Sequence, residues 1–281
     1  MSGRRNTFER IAAALERLAP PVSPPQGWVS APAYLWDGER AHAVNALDAL
    51  PLATLRGIDE QKAAFTANVE RLATGAAAHD TLLWGARGMG KSALVRAAVA
   101  DAQARHPQAL ALVQIAACAL GTVPELLARL APLDRKFLLL VDDLGFGADQ
   151  KSETLYARSL LEGGVVPRPS GVRLVVTSNR RAIVERDANE TEALHERDAR
   201  DDALALADRF GLTLGFHPCD RDTYLEILRA YTEPLGLEFD QEEALAWAIE
   251  RGNRSGRAAY QFAVELSGRA GIAIKAKDSV A

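Results

Sequence analysis

The fold of this 281-residue chain is decided by the stretch TLLWGARGMGKSALV, residues 81–95. A short apolar run enters a glycine-rich turn, and a run of Ala, Leu and Val that favours a helix leaves it. Between Gly85 and Ser92 the turn has the pattern G-x-x-x-x-G-K-S, which is typical of a phosphate-binding loop. Its glycines let backbone amides curl around an anion, and the start of the following helix adds positive charge. We therefore interpret the stretch as a nucleotide-binding site rather than an ordinary strand-to-helix turn.

The loop and the start of its helix supply most of the candidate nucleotide contacts. Lys91 would place its ammonium on the β- and γ-phosphates of a nucleotide, and Ser92 would offer its hydroxyl to Mg²⁺. The other candidates in this stretch are Gly85, Ala86, Arg87, Gly88, Met89, Gly90 and Ala93.

The composition is that of an ordinary globular protein, with 48% hydrophobic and 25% charged residues. A net charge of −4 argues against a surface that coats nucleic acid, although it leaves a local basic groove open. The two cysteines, Cys118 and Cys219, fit no metal or redox spacing. No apolar run is long enough to span a membrane and the N-terminus lacks a signal peptide's apolar core, so we expect a cytoplasmic protein.

Residues 1–54 are predicted to form an extension in front of the main domain. Apolar residues with 3-4-3 spacing predict a helix over residues 1–19, which packs on the core of its own chain or docks on a neighbouring subunit. A Pro-rich run at 20–25 ends this helix. Trp28, Tyr34 and Trp36 follow in a polar segment, which we interpret as a loop that its aromatic rings clamp onto the main domain.

Residues 55–218 alternate apolar runs with helical patterns, which predicts an α/β domain with a parallel sheet covered by helices. Helices are predicted over 60–73, 91–104, 122–131 and 150–162. The predicted strands are Thr81–Trp84, Leu110–Ile115, Phe137–Val141, Val172–Thr177 and Leu212–Phe216. Ligands of such sheets bind beyond the carboxyl ends of the strands, so we expect the chemistry just after each apolar run.

Polar side chains stand next to three of these strands. Asp142 and Asp143 follow the third strand, where Asp142 would hold Mg²⁺ and Asp143 would polarise the attacking water. Asn179 follows the fourth strand and can orient water beside the γ-phosphate. Arg209 precedes the fifth strand and is a candidate for stabilising the charge of phosphoryl transfer. Each of these side chains, taken alone, is also common in a turn or on a solvated surface. Their assignment to a site therefore rests on their occurrence together in one chain.

Residues 219–281 carry helical patterns only and are predicted to form a small all-α lid. Asp220, Asp240 and Ser255 are candidate N-caps for three successive helices. Arg257 falls in the first turn of the third helix, where its guanidinium can close over phosphates. Arg254 is the alternative for this role.

Taken together, residues 55–270 resemble an AAA+ ATPase. Gly57 and Ile58 are similar to the segment that contacts adenine through its backbone in that superfamily. The stretch from Gly85 to Ser92 resembles the Walker A motif, and Leu138 to Asp143 resembles Walker B.

The remaining polar residues extend the resemblance. Asn179 stands where sensor 1 stands, and Arg257 stands at the sensor 2 position. The motif Asp208-Arg209-Phe210 resembles the AAA+ motif whose arginine acts on the nucleotide of the next subunit, which implies a homo-oligomer. The superfamily also implies a five-stranded P-loop sheet with strand order 5-1-4-3-2. Several of these segments look like one bacterial AAA+ family, catalogued as a domain of unknown function (number eight-one-five), which implies no substrate.

One residue departs from the AAA+ pattern, because most AAA+ hydrolases carry Glu where this chain has Asp143. Asp is one methylene shorter, and misplacing a catalytic group by about 1 Å can cost on the order of 100-fold in rate. Two functions therefore stay open. The first is an ATP hydrolase that works as a ring or filament. The second is a slowly hydrolysing switch or loader that acts on a protein or DNA-replication partner.

A direct nucleic-acid role is a further hypothesis. It rests on a local run of basic residues, which a solvated surface explains equally well. These residues are Arg168, Arg173, Arg180 and Arg181.

Overall fold

The structure is a computed structural model that describes residues 27–144, 168–179 and 207–273. The predicted helices over 1–19 and 150–162, the Pro-rich run at 20–25, and Arg180 and Arg181 lie outside these residues. Within the described ranges, no helix is both long and apolar enough to cross a membrane.

A seven-stranded sheet forms the centre of the molecule. Its strands are β1 (Ala33–Trp36), β2 (Ala41–Val44), β3 (Thr81–Gly85), β4 (Leu110–Ile115), β5 (Lys136–Val141), β6 (Val172–Ser178) and β7 (Leu212–Phe216). Their order across the sheet is β2-β1-β4-β5-β6-β3-β7. All neighbours are parallel except β1 and β2. The five strands expected from the sequence keep the expected order, and β6 lies between the strand of the glycine-rich loop and the strand that ends at Asp142.

Two strands extend the sheet beyond the predicted five, so the interpretation of residues 28–36 as a loop is wrong. β1 pairs in parallel with β4, and β2 turns back antiparallel to β1. Trp36 is completely buried, and its indole N–H donates to Thr122 Oγ1 at 2.9 Å. Trp28 packs against Tyr34 and meets the edge of Phe137. The aromatic rings do attach this segment to the domain, but they do so as part of the sheet and its core.

Six helices flank the sheet among the described residues. They are α1 (Asp59–Ala73), α2 (Lys91–Arg105), α3 (Val123–Leu130), α4 (Arg221–Thr232), α5 (Gln241–Glu250) and α6 (Gly256–Arg269). The first three agree with the predicted ranges to within one residue at each end. One core contains apolar side chains of α1, α2 and the three C-terminal helices together with one face of the sheet. The other core joins α3 and the N-terminal aromatic residues to the opposite face.

The three C-terminal helices begin at the predicted caps. The side chains of Asp220, Asp240 and Ser255 each accept a hydrogen bond from the backbone N–H three residues further on. Such caps satisfy an amide that the first helical turn leaves unpaired. Tyr224 and Phe262 then bury their rings in the core shared with α2, which holds the helical segment against the same face of the sheet as α2.

Candidate functional site

The glycine-rich loop leaves the carboxyl end of β3 in a conformation that requires glycine. Gly85, Gly88 and Gly90 have φ values of +120°, +77° and +86°. A Cβ atom at Gly85 would lie 2.1 Å from the carbonyl oxygen of Phe216 on the neighbouring strand. Helix α2 begins directly after Gly90, so its first free amides face the loop. The predicted strand, loop and helix are therefore present, and a helix N-terminus at the end of such a loop can bind an anion.

Lys91 is buried at the start of α2, with 6% of its surface exposed. Its Nζ donates to the carbonyl oxygens of Gly85 and Ala86, both at 2.9 Å, and to Asn179 Oδ1 at 2.8 Å. Burial lowers the pKa of Lys91 to about 8, although Asp143 and, less strongly, Asp142 favour its charged form. The loop thus holds a cation that is short of solvent and surrounded by oxygen acceptors.

The two carboxylates that follow β5 are held by neighbours on α2 and β6. Asp142 Oδ1 accepts from Ser92 Oγ at 2.5 Å and from Thr177 Oγ1 at 2.6 Å. The carboxylate of Asp143 accepts from Asn179 Nδ2. Thr177 was not singled out from the sequence, because a threonine in an apolar strand gives no signal of its own. The pair of Ser92 and Asp142 offers the hard oxygen ligands that Mg²⁺ prefers.

The C-terminal helical segment closes one side of the loop. The backbone N–H of Arg257 donates to the carbonyl oxygen of Gly88 at 3.2 Å. Its Nε atom is buried and makes no hydrogen bond within the described part of the chain. The carbonyl oxygen of Arg254, the alternative residue, instead accepts from the thiol of Cys219 at 3.1 Å. Burial raises the pKa of that thiol to about 11.

A cavity of about 110 Å³ lies where these elements meet. It is lined by Arg87, Gly88, Gly90, Lys91, Ser92, Asp142, Asp143, Thr177, Asn179 and Arg257. Five of the six residues expected to be catalytic are therefore together, and Arg257 rather than Arg254 lines the cavity.

A smaller and more apolar cavity of about 30 Å³ adjoins it and shares Gly88, Gly90 and Arg257. Its other lining residues are Thr54, Leu55, Arg56, Ile58, Met89, Ile227, Tyr231 and Gly256. Gly57, beside Ile58, has a φ of +72°, and a Cβ atom there would lie 2.2 Å from Thr223 Cγ2 on α4. Ala93 is buried in the core beneath the loop.

Arg209 is the expected catalytic residue that stays apart from the others. It precedes β7 at the amino end of the sheet and lines neither cavity. The five residues of β7, a length of roughly 16 Å, separate it from the edge where the loop lies. Arg209 of the same chain is therefore poorly placed to reach that cavity.

Two of the basic residues grouped by the sequence have structural partners. Arg168 pairs with Asp80 at 2.5 Å. The guanidinium of Arg173 donates to the backbone carbonyl oxygens of Ala78, Ser170 and Val172. Both lie at the amino end of β6, whereas Asn179 follows its carboxyl end. These contacts give both arginines a role in holding loops, which weakens the argument for a shared basic surface.

Comparison with known proteins agrees with this architecture. The family model described as "Protein of unknown function (DUF815)" matches residues 29–270. A comparison with curated proteins gave no match. The fold is similar to RuvB of Thermotoga maritima, a Holliday junction branch migration motor, with a TM-score of 0.51 and 15% identity over 83% of this chain and 70% of that one.

Two further solved structures are similar at the level of the fold. The ORC1 protein of Aeropyrum pernix, solved in complex with DNA, has a TM-score of 0.56 and 16% identity over 80% of this chain and 64% of its own. PCH-2 of C. elegans has a TM-score of 0.52 and 14% identity over 77% of this chain and 64% of its own. Similarity at these identities shows a common fold, and it does not indicate a substrate or partner for this chain.

Proposed function

The chain belongs to the DUF815 family, within the AAA+ superfamily, and we propose that it binds Mg-ATP and hydrolyses it at a site completed by a neighbouring copy. One observation carries the proposal. Side chains from the glycine-rich loop, from the ends of β5 and β6, and from the first turn of α6 line a single cavity. Such convergence of charged and polar groups at the carboxyl ends of parallel strands is typical of a nucleotide site.

The phosphates of ATP fit the cation and the amides of the loop. Lys91 is buried, and burial disfavours its charge unless an anion lies nearby. Phosphate oxygens can replace the carbonyl oxygens and the Asn179 amide that Lys91 now contacts. The adjoining apolar cavity, with Ile58 and Met89 in its wall, lies where the adenine ring would follow the phosphates, and it would have to widen to admit that ring. We expect Gly57 and Ile58 to contact that ring through their backbone.

The metal expected with ATP is Mg²⁺, which Ser92 and Asp142 would hold. When bound, it supplies charge that neutralises the β- and γ-phosphates. Mg²⁺ usually takes one or two protein oxygens and leaves the remaining positions to phosphates and water, so a two-residue site is sufficient.

The remaining side chains can serve hydrolysis. Asp143 would accept a hydrogen bond from the attacking water, and Asn179 would orient that water beside the γ-phosphate. Arg257 would contact phosphate from the helical segment. Since Arg209 lies at the other end of the sheet, we expect it to act on the nucleotide of a neighbouring copy.

A second candidate is an ATP-dependent switch or loader that binds ATP and turns over slowly, acting on a protein or DNA-replication partner. It is favoured by Asp143, which is shorter than the Glu usual at this position and is already bonded to Asn179. Single-turnover hydrolysis separates the two candidates. A fast rate without any partner would count against a pure switch.

Mixing two inactive variants tests whether the site is shared. Arg209→Ala removes the group expected from the neighbour, and Asp143→Asn removes the group that acts within the chain. We expect the mixture to release phosphate, because some interfaces then combine an intact Asp143 with an intact Arg209. A mixture of Asp143→Asn with Asn179→Ala is the control, since both residues act in the same chain. Equal inactivity of the two mixtures at every ratio would remove Arg209 from the shared site.

The oligomeric state gives an independent test. We expect the purified chain to assemble in the presence of Mg²⁺ and a non-hydrolysable ATP analogue, which sedimentation velocity can detect. A strict monomer with and without the analogue would leave Arg209 without a role in hydrolysis.

A further inference from the structure

The hydroxyl of Thr177 lies between the two carboxylate residues of the site. Thr177 is near the end of β6 and is 2% exposed. Its Oγ1 donates to Asp142 Oδ1 at 2.6 Å and accepts from the backbone N–H of Asp143 at 2.8 Å. Its carbonyl oxygen also accepts from the N–H of Leu144 at 2.8 Å. One residue of β6 therefore holds three consecutive residues of the turn after β5.

This turn contains an unusual backbone conformation. Asp143 has a φ of +58°, in the left-handed region that residues other than glycine seldom adopt. Asp and Asn tolerate this region better than most residues because their short side chains can bond locally. The N–H of Asp143 is paired with Thr177, and its carboxylate is turned toward Asn179. The backbone of the turn, and not only the length of the side chain, thus determines where the carboxylate lies.

We propose that Thr177 is a positioning residue that fixes Asp142 and Asp143 for hydrolysis and so adapts the site to the shorter acid. The inference rests on the proposed ATP hydrolysis. A hydroxyl can donate one hydrogen bond while it accepts another, which is the pair of contacts found here. Threonine also has a stiff χ1, so its oxygen is held in place with little loss of entropy.

A matched set of substitutions separates this role from simple filling of the core. Thr177→Val keeps the shape of the side chain and removes both hydrogen bonds, whereas Thr177→Ser keeps the hydroxyl. Thr81→Val is the control. Thr81 is also a buried strand threonine, bonded by Asn68, but it lies at the amino end of β3, away from the cavity.

The first experiment is steady-state phosphate release from Mg-ATP by the full chain. We expect Thr177→Val to lower kcat on the order of 10- to 100-fold, as is usual for groups that orient metal and catalytic ligands. At saturating Mg²⁺ the KM for ATP should change much less than kcat, because no phosphate contact is lost. Thr177→Ser should restore most of the rate, and Thr81→Val should leave it unchanged. If the valine variant does not fold, Thr177→Ala makes the same comparison with serine.

Two further readouts test whether the effect of Thr177 passes through Asp143. Amide hydrogen exchange at Asp143 should be faster in Thr177→Val than in wild type, since the acceptor that Thr177 provides is lost. Adding Thr177→Val to Asp143→Asn should lower the residual rate less than it lowers the wild-type rate, because the part of the effect that passes through Asp143 is already lost.

The outcomes separate the two proposals. A wild-type chain that hydrolyses ATP, with Thr177→Val equal to it in kcat and in exchange at Asp143, would overturn the role of Thr177 and leave the proposed function intact. Equal fold losses in the wild-type and Asp143→Asn backgrounds would overturn the proposed action of Thr177 on Asp143. A wild-type chain that neither binds nor hydrolyses ATP would instead remove the proposed function and this inference with it.

Discussion

Lys91 Nζ donates a hydrogen bond of 2.8 Å to Asn179 Oδ1 and so joins the first residue of α2 to the residue that follows β6. Asn179 in turn donates through Nδ2 to Asp143. The cation expected to contact phosphate and the carboxylate expected to polarise water are therefore linked through one amide side chain. A ligand that draws Lys91 away also changes the partners of Asn179, which couples phosphate binding to the group beside the attacking water.

The buried ammonium of Lys91 predicts proton uptake when ATP binds at alkaline pH. Its pKa of about 8 in the free protein lies below the ordinary value of 10.5, and phosphates beside it favour the charged form. At pH 8.5 the free side chain is mostly neutral, so binding should take up about half a proton or more. At pH 7 it is already charged, and the uptake should be close to zero. Titration calorimetry in buffers with different ionisation enthalpies measures this difference.

The lowered pKa of Lys91 also makes the stability of the folded chain depend on pH. Between pH 8 and 10.5 the unfolded chain binds more protons at this lysine than the folded chain. The cost of burying its charge therefore falls as pH rises, and this lysine's contribution to the free energy of unfolding becomes more favourable.

Lys91→Arg is the control for the proton uptake on ATP binding, because the arginine side chain stays charged throughout this pH range. Proton uptake at pH 8.5 that is equal in wild type and Lys91→Arg would contradict this prediction.

Gly57 is expected to be intolerant of alanine because it touches the helical segment. Its φ is +72°, and an added Cβ atom would lie 2.2 Å from Thr223 Cγ2. Gly252→Ala is the matched control, since Gly252 has a φ of +80° and open space around it. Both substitutions carry a left-handed backbone cost of about 1 kcal/mol, and Gly57→Ala should lose a further ~1–3 kcal/mol through overpacking. Urea unfolding measures the difference in the free energy of unfolding.

A second substitution tests the cause of that loss. Thr223→Ala removes the methyl group that would clash, so the pair Gly57→Ala and Thr223→Ala should lose less than the sum of the two single losses. Additive losses would mean that the helical segment does not press on Gly57.

Replacing Asp143 by Glu is expected to slow hydrolysis, even though Glu is usual at this position in AAA+ hydrolases. The φ of +58° costs a Glu residue about 1 kcal/mol, and the longer side chain would displace the carboxylate from Asn179. Single-turnover phosphate release from Asp143→Glu measures the effect. A rate above that of wild type would show that side-chain length, rather than the backbone of the turn, limits this site.

Trp36 is expected to be essential for stability because β1 belongs to the sheet. It is fully buried and bonded to Thr122, so Trp36→Ala should cost about 3–5 kcal/mol of unfolding free energy. Its neighbour Leu35 is 41% exposed, and Leu35→Ala should cost less than about 1 kcal/mol. Denaturant unfolding of the two variants gives the comparison. Similar losses would contradict the packing of Trp36 against the sheet.

The central strands could be predicted because each is buried on both faces and reads as a continuous apolar run. The helix caps could be predicted because Asp220 and Ser255 act on amides three residues away. The strands β1 and β2 could not be predicted in this way. Each has only four residues, and β2 is mostly exposed, so the pairing of β1 with β4 and of β2 with β1, rather than a local pattern, makes them strands.

The members of the site could be recognised one at a time, but their contacts could not. The hydrogen bonds of Thr177 form only because β5 and β6 lie side by side, since its partners precede it by more than 30 residues in the sequence. The choice between Arg254 and Arg257 likewise depends on which residue of the turn faces the loop. The proposed role of Arg209 depends on a second copy, whose arrangement no pattern within one chain can supply.

Single-turnover phosphate release from Mg-ATP tests the proposed site most directly, with wild type compared with Asp143→Asn under conditions in which both bind ATP. We predict that wild type releases phosphate and that the variant is slower by on the order of 100-fold or more, because it keeps the cavity and loses the carboxylate beside the attacking water. Equal rates in the two proteins would contradict the assignment of Asp143 and of hydrolysis to this cavity.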